Sequence, residues 1–296
     1  MAPAEAHAST ASGRSSSAAP AWLHDVLPDA GLPAAQRRAV AVIRRNPQLA
    51  TYAELSEIAS RADVDASTVV RAAQSLGYRG WSDLQRELRA RYLATISTEE
   101  TLREHGEHLS PVHDALRHDM KNLSMALEAN DPADAADAIG TLTDAASIVV
   151  VAHGSFAAPA SVMAHLGATM GCPIVHESRG GPHLASTLQR LGADDALVVI
   201  NMWRPMRQII AAAEAAHTGG TPVVAITDMQ SGRLAELSEH VLLVPSEGLS
   251  FFQSVTAATS VVYGLLAGME AARPERSRTA LRRTQRLWKD LDVFAD

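Results

Sequence analysis

The sequence predicts an all-helical N-terminal domain followed by an α/β domain with a doubly wound parallel sheet. Two observations support this fold class. Apolar side chains in residues 53–77 recur with the spacing of two short helices. From Ser147 onward, short β-branched apolar runs alternate with helical segments. Strands that alternate with helices pair in parallel and are covered by helices on both faces.

Composition narrows the class of protein. The chain has 296 residues, of which 47% are hydrophobic and 20% charged, so we expect a globular protein with two domains. Its one cysteine, Cys172, excludes an internal disulfide and a cysteine-based metal site. The N-terminus is rich in alanine and serine without the apolar run of a signal peptide, and no segment approaches the roughly 18 apolar residues of a membrane span. We therefore expect a cytoplasmic protein without a membrane partner.

Residues 51–81 carry the clearest motif in the chain. A first short helix is expected over residues 53–62, and Asp65 is expected to cap a second helix that ends at Gly77. The second helix would turn short polar side chains and an arginine outward, as a recognition helix in a major groove requires. A helical hairpin with a solvated face is the alternative. We predict DNA contacts from five residues of this segment: Ser67, Thr68, Arg71, Gln74 and Arg79.

The charge distribution favours DNA at one end only. The net charge is −7, yet residues 33–103 contain eleven arginines, no lysine and eight acidic residues, a net +3 that leaves −10 for the rest. A basic module on an acidic body is expected where one end meets phosphate. Because +3 is modest, we expect a homodimer or higher homo-oligomer that places two modules on an inverted-repeat operator. Arg79, Arg86 and Arg89 are the expected phosphate contacts.

An aromatic-Arg-Gly-aromatic run follows the second helix at residues 78–81. With this run, the whole segment resembles the N-terminal domain of the RpiR family of bacterial transcription regulators. The matching positions outside the run are Leu55, Ala59, Val64, Thr68, Val69, Arg71, Leu76 and Gly77. The family commonly has serine where Asp65 stands, and both residues cap helices well.

Five apolar runs in the second half are expected strands: residues 147–152, 171–177, 196–201, 222–227 and 240–245. Their order and spacing, with AITD at 225–228 and SEGLSFFQS at 246–254, resemble the sugar isomerase (SIS) domain. RpiR regulators combine these two domains. From the local composition we expect a disordered tail over 1–21 and a helical linker over 99–137. The resemblance implies a helix-turn-helix domain over 22–98 and an SIS effector-binding and dimerisation domain over 138–280, and a C-terminal helix is expected over 281–296.

Ligands of doubly wound sheets lie beyond the carboxyl ends of the strands, near helix N-termini. In sugar-phosphate-binding relatives the first such loop reads Gly-x-Gly-x-Ser, whereas this chain keeps Gly154 and has Phe156 in place of the hydroxyl. The loop after the third strand carries hydroxyls in those relatives, and residues 201–206 have none. We therefore expect an organic or sugar acid paired with Arg204 rather than a simple sugar phosphate. In the alternative, Arg204 is solvated and Trp203 is a core or dimer contact.

The expected effector-binding residues are Gly154, Ser155, Asn201, Arg204, Thr227 and Ser254. The polar members are equally suited to capping helices. No metal or other cofactor is expected, because His153, His176 and His183 lack a metal-binding spacing and no cysteine or tight carboxylate pair supports one. Glu177 and Glu247 suit acid–base chemistry by position alone.

These observations predict a DNA-binding transcription regulator, not an enzyme, that senses a sugar phosphate, sugar acid or organic acid through its SIS domain. Its partners would be double-stranded DNA, a small-molecule effector and further copies of itself. Two alternatives stay open: a sugar-phosphate isomerase whose N-terminal helices mediate assembly, and an effector-free DNA-binding protein with a degenerate SIS domain. The outward face of the second helix favours the regulator, because an isomerase has no use for Ser67, Arg71 and Gln74.

Overall fold

The computed structural model describes residues 21–28, 31–105 and 109–295, without the side chains of residues 104 and 105. The tail predicted over residues 1–21 lies outside these ranges, except for Ala21. Within them, no helix combines the length and apolar character needed to span a membrane. Nor do three histidine, cysteine or carboxylate side chains cluster there as metal ligands would.

The described part of the N-terminal domain is built from helices, listed here as α1 (Trp22–Val26), α2 (Ala34–Arg45), α3 (Pro47–Tyr52), α4 (Leu55–Ala62), α5 (Ala66–Ser75) and α6 (Trp81–Thr95). Their apolar faces share one core, which contains Leu23, Ile43, Ile58, Val69 and Leu84. The prediction of an all-helical domain is confirmed.

The helix-turn-helix formed by α4 and α5 lies where the sequence predicts it. Helix α4 ends at Ala62, and the C-cap residue Asp63 adopts a left-handed conformation with φ +50°. Gly77 follows α5 at φ +90°, a conformation that glycine adopts without steric cost. Asp65 occupies the N-cap position of α5, but its exposed side chain accepts no capping hydrogen bond, so the prediction of a side-chain cap is wrong there.

Three helices follow the N-terminal domain: α7 (Thr98–His105), α8 (Pro111–Ala129) and α9 (Pro132–Asp144). Asp131 caps α9, because its Oδ1 accepts a hydrogen bond of 2.8 Å from the backbone N–H of Ala133. Both α8 and α9 pack against the long helix over Thr256–Ala272. These two helices therefore belong structurally to the α/β body.

The body contains a parallel sheet in the order β2-β1-β3-β4-β5, formed by β1 (Ile148–Val151), β2 (Ile174–Glu177), β3 (Ala196–Asn201), β4 (Val223–Thr227) and β5 (His240–Leu243). Its remaining helices in the described chain are α10 (Ala157–Thr169), α11 (Gly181–Leu188), α12 (Arg207–Thr218), α13 (Arg233–Glu236), α14 (Thr256–Ala272) and α15 (Pro274–Asp290). Helices α9, α10 and α14 cover one face and α11, α12 and α13 the other. The predicted doubly wound sheet is confirmed.

The apolar character of the strands follows from this two-sided cover. Along β3, Val198 and Ile200 enter one core while Leu197 and Val199 enter the other, and all four are buried. Loops leave the carboxyl ends of the strands together at one rim of the sheet. We call this rim the carboxyl edge; it comprises residues 152–157, 201–206, 227–233 and 245–254.

Candidate functional site

The outer face of α5 is polar and exposed. Ser67, Arg71 and Gln74 lie on it, as predicted, and the Arg71 guanidinium donates a hydrogen bond to the Ser67 hydroxyl at 3.2 Å. Thr68 is only 8% exposed, and its hydroxyl lies 3.4 Å from the same guanidinium. Thr68 therefore orients Arg71 more readily than it reaches a partner itself.

Arg79 lies at the junction of α5 and α6. Its side chain is 57% exposed, and its guanidinium donates to Asp83 at 3.2 Å. Gln74 reaches back to the Arg79 carbonyl at 3.4 Å. Although desolvation raises it, the pKa of Asp83 is held below its ordinary value by Arg86 and Arg79. Arg79 thus remains available at the surface beside the outer face of α5.

Helix α6 turns its other basic residues towards the body. Arg86 is buried and donates hydrogen bonds to Asp83 at 2.5 Å and to Gln230 at 3.2 Å. Arg89 pairs with Glu247 at 2.5 Å and lies over the Tyr52 ring. The expectation that Arg86 and Arg89 contact phosphate is wrong for this arrangement, because both guanidinium groups are engaged at the carboxyl edge.

Glu87 is the centre of this contact between α6 and the body. Its side chain is 1% exposed. Its carboxylate accepts hydrogen bonds from the Gln230 backbone N–H at 2.6 Å, the Ser231 hydroxyl at 2.6 Å and Arg91 at 2.9 Å. Arg91 in turn donates to the Ser231 carbonyl at 2.7 Å. A buried carboxylate with three donors fixes the position of α6.

The same contact continues through the loop after β3. Trp203 adopts φ +63°, and its indole N–H donates to the Leu93 carbonyl at 2.9 Å. The Arg204 guanidinium stacks on Trp203 and donates to the carbonyls of Ala94 and Ile96 at 3.0 and 2.7 Å. Arg204 therefore satisfies free carbonyls at the C-terminus of α6, a position that a cation also stabilises through the helix dipole. Neither this role nor the interdomain role of Trp203 was predicted.

A cavity lies where α6, α8 and the carboxyl edge meet, with a water-accessible volume of about 40 Å³. Helix α6 contributes Arg86 and Arg89, and α8 contributes Lys121 and Asn122. The body closes it with Trp203, Asp228, Ser246 and Glu247. Arg204 does not line it, so the structure does not support its predicted pairing with a ligand in this cavity.

Asp228 is a buried carboxylate in the lining of the cavity. It is 6% exposed, and its Oδ2 accepts hydrogen bonds from the Trp203 backbone N–H at 2.8 Å and the Ser246 hydroxyl at 2.7 Å. Its Oδ1 is buried without a hydrogen-bond partner among the described residues. Desolvation by burial raises the pKa of Asp228 to about 6. One oxygen of the Asp228 carboxylate is therefore left without a hydrogen bond from any described residue.

Of the other predicted effector residues, some form hydrogen bonds within the protein and the rest are exposed. Asn201 and Thr227 are buried, and Asn201 holds the loop after β3 by accepting from the Met206 backbone N–H at 3.2 Å. Ser254 donates to Asp119 at 2.5 Å and accepts from the backbone N–H of Thr256, the first residue of α14, at 3.2 Å. Gly154, at φ +62°, and Ser155 are exposed after β1. None of these five lines the cavity.

Glu177 is held in an ion pair at the end of β2. Its carboxylate accepts from Arg179 at 2.9 Å and from the Thr187 hydroxyl at 3.1 Å. The hydrogen bond from Arg179 is the main cause that lowers the pKa of Glu177 to about 2. A carboxylate that stays ionised near neutral pH is poorly suited to donating a proton. His153 and His176 hydrogen-bond to the carbonyls of Ser178 and Ala152.

The family follows from sequence models of the two domains. Residues 28–95 match the model of the helix-turn-helix domain of the rpiR family, and residues 141–268 match the model of the SIS domain. The chain belongs to the RpiR family. This confirms the resemblance drawn from the sequence, and the pairing of domains is that of a transcription regulator with a carbohydrate-related sensing domain.

Solved structures share the fold of this chain. The sugar isomerase domain of an RpiR transcription factor from Sphaerobacter thermophilus is 29% identical, with a TM-score of 0.58, over 60% of this chain and 99% of that one. The Vibrio vulnificus NanR protein, complexed with ManNAc-6P, shares the fold at 18% identity and a TM-score of 0.57, over 93% of this chain and 98% of that one. No curated protein matches the sequence of this chain.

Sequence reasoning missed most of the cavity. Asp228 and Lys121 were not among the expected contacts, and Glu247 was considered only as an acid–base group. The contact of Glu87 with the body, outside the cavity, was not expected either. One signal was present, because Asp228 directly follows a buried strand at its carboxyl end. The alternation of Asp83, Arg86, Glu87 and Arg91 along α6 indicates a polar helix face but not the domain that it meets.

Proposed function

We propose that this RpiR-family protein regulates transcription by binding operator DNA through the outer face of α5 and a small metabolite at the carboxyl edge, without catalysing a reaction. The main support is the placement of α6. One side of α6 packs in the core of the helix-turn-helix domain through Leu84 and Leu88. The other side contacts the carboxyl edge through Glu87 and Arg89. A ligand at that edge would therefore act directly on the DNA-binding domain.

The proposed DNA contacts are Ser67, Arg71, Gln74 and Arg79, with Thr68 orienting Arg71. We expect Arg71→Ala to weaken specific binding by about 1–3 kcal/mol if Arg71 reads a guanine, and to relax sequence preference. Fluorescence anisotropy with operator and scrambled duplexes at several salt concentrations measures both effects. Arg61→Ala is the matched control, because Arg61 is an exposed helical arginine paired with Glu57 on α4. Equal operator affinity of wild type and Arg71→Ala would contradict the proposed recognition face.

We propose a homodimer, because one module of net charge +3 offers little electrostatic attraction to DNA. We propose that the two copies contact each other through α8. Its exposed apolar side chains lie along one side of the helix at helical spacing: Val112, Leu116, Met120 and Leu127. Exposed apolar stripes of this kind mark association surfaces. The isomerase alternative gains no support from Glu177, whose carboxylate is occupied by Arg179 and the Thr187 hydroxyl.

The dimer is tested by replacing two leucines of that stripe. We expect the double variant Leu116→Glu and Leu127→Glu to be monomeric at micromolar concentration and to lose cooperative binding to an inverted repeat. Light scattering and operator titrations measure the two results. Leu102→Glu, which changes an exposed leucine of α7, is the control. A monomeric wild type, or a double variant that stays dimeric, would rule out this interface.

A further inference from the structure

Helix α15 packs on the body through its first half only. Ser277 is buried, and Ala280 lies against Gly171 in the turn before β2. From Leu287 onward several apolar side chains are 49–71% exposed: Leu287, Leu291, Val293 and Phe294. The distal half of α15, residues 282–290, and the residues that follow it therefore leave an apolar surface open to solvent.

The distal half also concentrates positive charge. Helix α15 has six basic and two acidic residues, in a chain whose net charge is −7. Arg283, Arg286 and Lys289 are exposed and follow one another at a spacing of three residues. Arg278 pairs with Glu275 in the first half, whereas these three cations form no ion pair within the described residues. Free cations beside an exposed apolar surface suit a partner that combines carboxylates with apolar side chains.

A groove of that character runs along β5, the strand at the opposite edge of the sheet from β2. Its water-accessible volume is about 490 Å³, within the roughly 300–1,000 Å³ of sites that enclose a ligand. We call it the β5 groove; besides Arg79, Gln230 and His240 it is lined by three apolar and three acidic residues, Ala129, Val241 and Leu243, and Asp131, Asp134 and Glu239. Asp134 and Glu239 are exposed and form no ion pair within the described residues. Three carboxylates against one guanidinium leave the β5 groove negative.

We propose that the distal half of α15 of one copy docks in the β5 groove of a second copy, with its leucines on the apolar lining and its arginines against Asp134 and Glu239. The chain itself supplies both complementary surfaces, so the partner is a second copy. Its own α15 packs at the wrong edge, because Gly171 precedes β2 and four strand spacings, about 19 Å, separate β2 from β5. The contact is heterologous and uses none of the exposed apolar residues of α8.

The size and charge of these surfaces determine how the assembly behaves. Half of one helix buries little surface, and small interfaces associate weakly. We therefore expect wild type to assemble further only when its concentration is raised well above the micromolar range. Salt screens attraction between exposed charges, so the same association should weaken as ionic strength rises.

Charge reversal with cross-rescue tests the contact in the full chain. One variant, Arg283→Glu with Arg286→Glu, makes the helix surface negative. The other, Asp134→Lys with Glu239→Lys, makes the groove positive and keeps Asp131, which caps α9. Sedimentation velocity measures the growth beyond the species present at micromolar concentration. Each variant alone should associate at least about tenfold more weakly than wild type, because like charges then meet. An equimolar mixture should recover wild-type association, since every contact between unlike variants is again attractive.

Arg278→Glu is the matched control, because Arg278 is an exposed arginine on the first half of the same helix. It should associate like wild type, and thermal unfolding checks that every variant is folded. The proposal is overturned if wild type shows no further association, if either reversal leaves it unchanged, or if the mixture associates no better than the separate variants. Unchanged association with weaker binding of random-sequence duplex DNA in Arg283→Glu with Arg286→Glu would assign the helix to nucleic acid and overturn it as well. The contact through α8 is measured separately at micromolar concentration, so either contact can fail without the other.

Discussion

Glu87→Ala is expected to detach the DNA-binding domain from the body while leaving both domains folded. The wild-type carboxylate is almost completely buried and accepts hydrogen bonds from Gln230, Ser231 and Arg91. Alanine removes the acceptor and leaves the Arg91 cation partly buried without its carboxylate. Breaking a buried ion pair from one side costs roughly 3–5 kcal/mol. We expect Glu87→Ala to weaken the contact between the two domains by about 3 kcal/mol, at the lower end of this range, because the side chain of Arg91 is 13% exposed.

The measurement is chemical denaturation of the full chain, followed by hydrogen exchange in each domain. In Glu87→Ala, the helix-turn-helix domain should unfold in an earlier, separate transition, because it loses its contact with the body. Glu57→Ala is the control: Glu57 also pairs with an arginine four residues away, but both side chains are about half exposed. A pair of that kind contributes less than about 1 kcal/mol. A single transition at the wild-type midpoint for Glu87→Ala would contradict the assigned contact.

Elements with regular spacing were predictable from the sequence. Helices α4 and α5 followed from apolar side chains three and four residues apart, and β3 and β4 from uninterrupted apolar runs whose two faces are both buried. Residues 99–137 were expected only as a helical linker, whereas they contain the 19-residue helix α8 from Pro111 to Ala129. The exposed side chains of Val112 and Leu116 do not enter the core of the chain, so the usual burial pattern is absent over that turn.

The candidate site was less predictable, because its contacts join residues far apart in the chain. Arg204 was expected to face a ligand, since a cation at a strand end is typical of an anion site. In the structure it meets the last carbonyls of α6, more than a hundred residues earlier. Arg86 and Arg89 were expected on DNA because arginines in a helix-turn-helix domain commonly are. Only the docking of one domain on the other determines which partner such a guanidinium meets.

Leu84→Ala is expected to unfold the helix-turn-helix domain itself. Glu87→Ala, in contrast, is expected to release that domain from the body while it stays folded. Leu84 lies on the same helix, but its side chain is fully buried in the core of α1–α6. Truncating a buried leucine to alanine costs about 2–5 kcal/mol, because transfer free energy is lost and a cavity remains. In a small helical domain that is a large share of the total stability. Operator binding should therefore be lost on warming, at temperatures where the wild type still binds.

Leu287→Ala is the matched control, since Leu287 is 49% exposed on α15 and its replacement should change stability by no more than about 0.5 kcal/mol.

The two variants of α6, Leu84→Ala and Glu87→Ala, separate the folding of the helix-turn-helix domain from its docking on the body. In Leu84→Ala, circular dichroism should lose helix signal in an early transition and operator affinity should fall with it. In Glu87→Ala, the helix signal should persist at moderate temperature and operator affinity should be retained or raised, because the domain is intact and released from the body. Loss of DNA binding in Glu87→Ala with full helix content would mean that the domain docked on the carboxyl edge is the DNA-competent state, and would contradict this prediction.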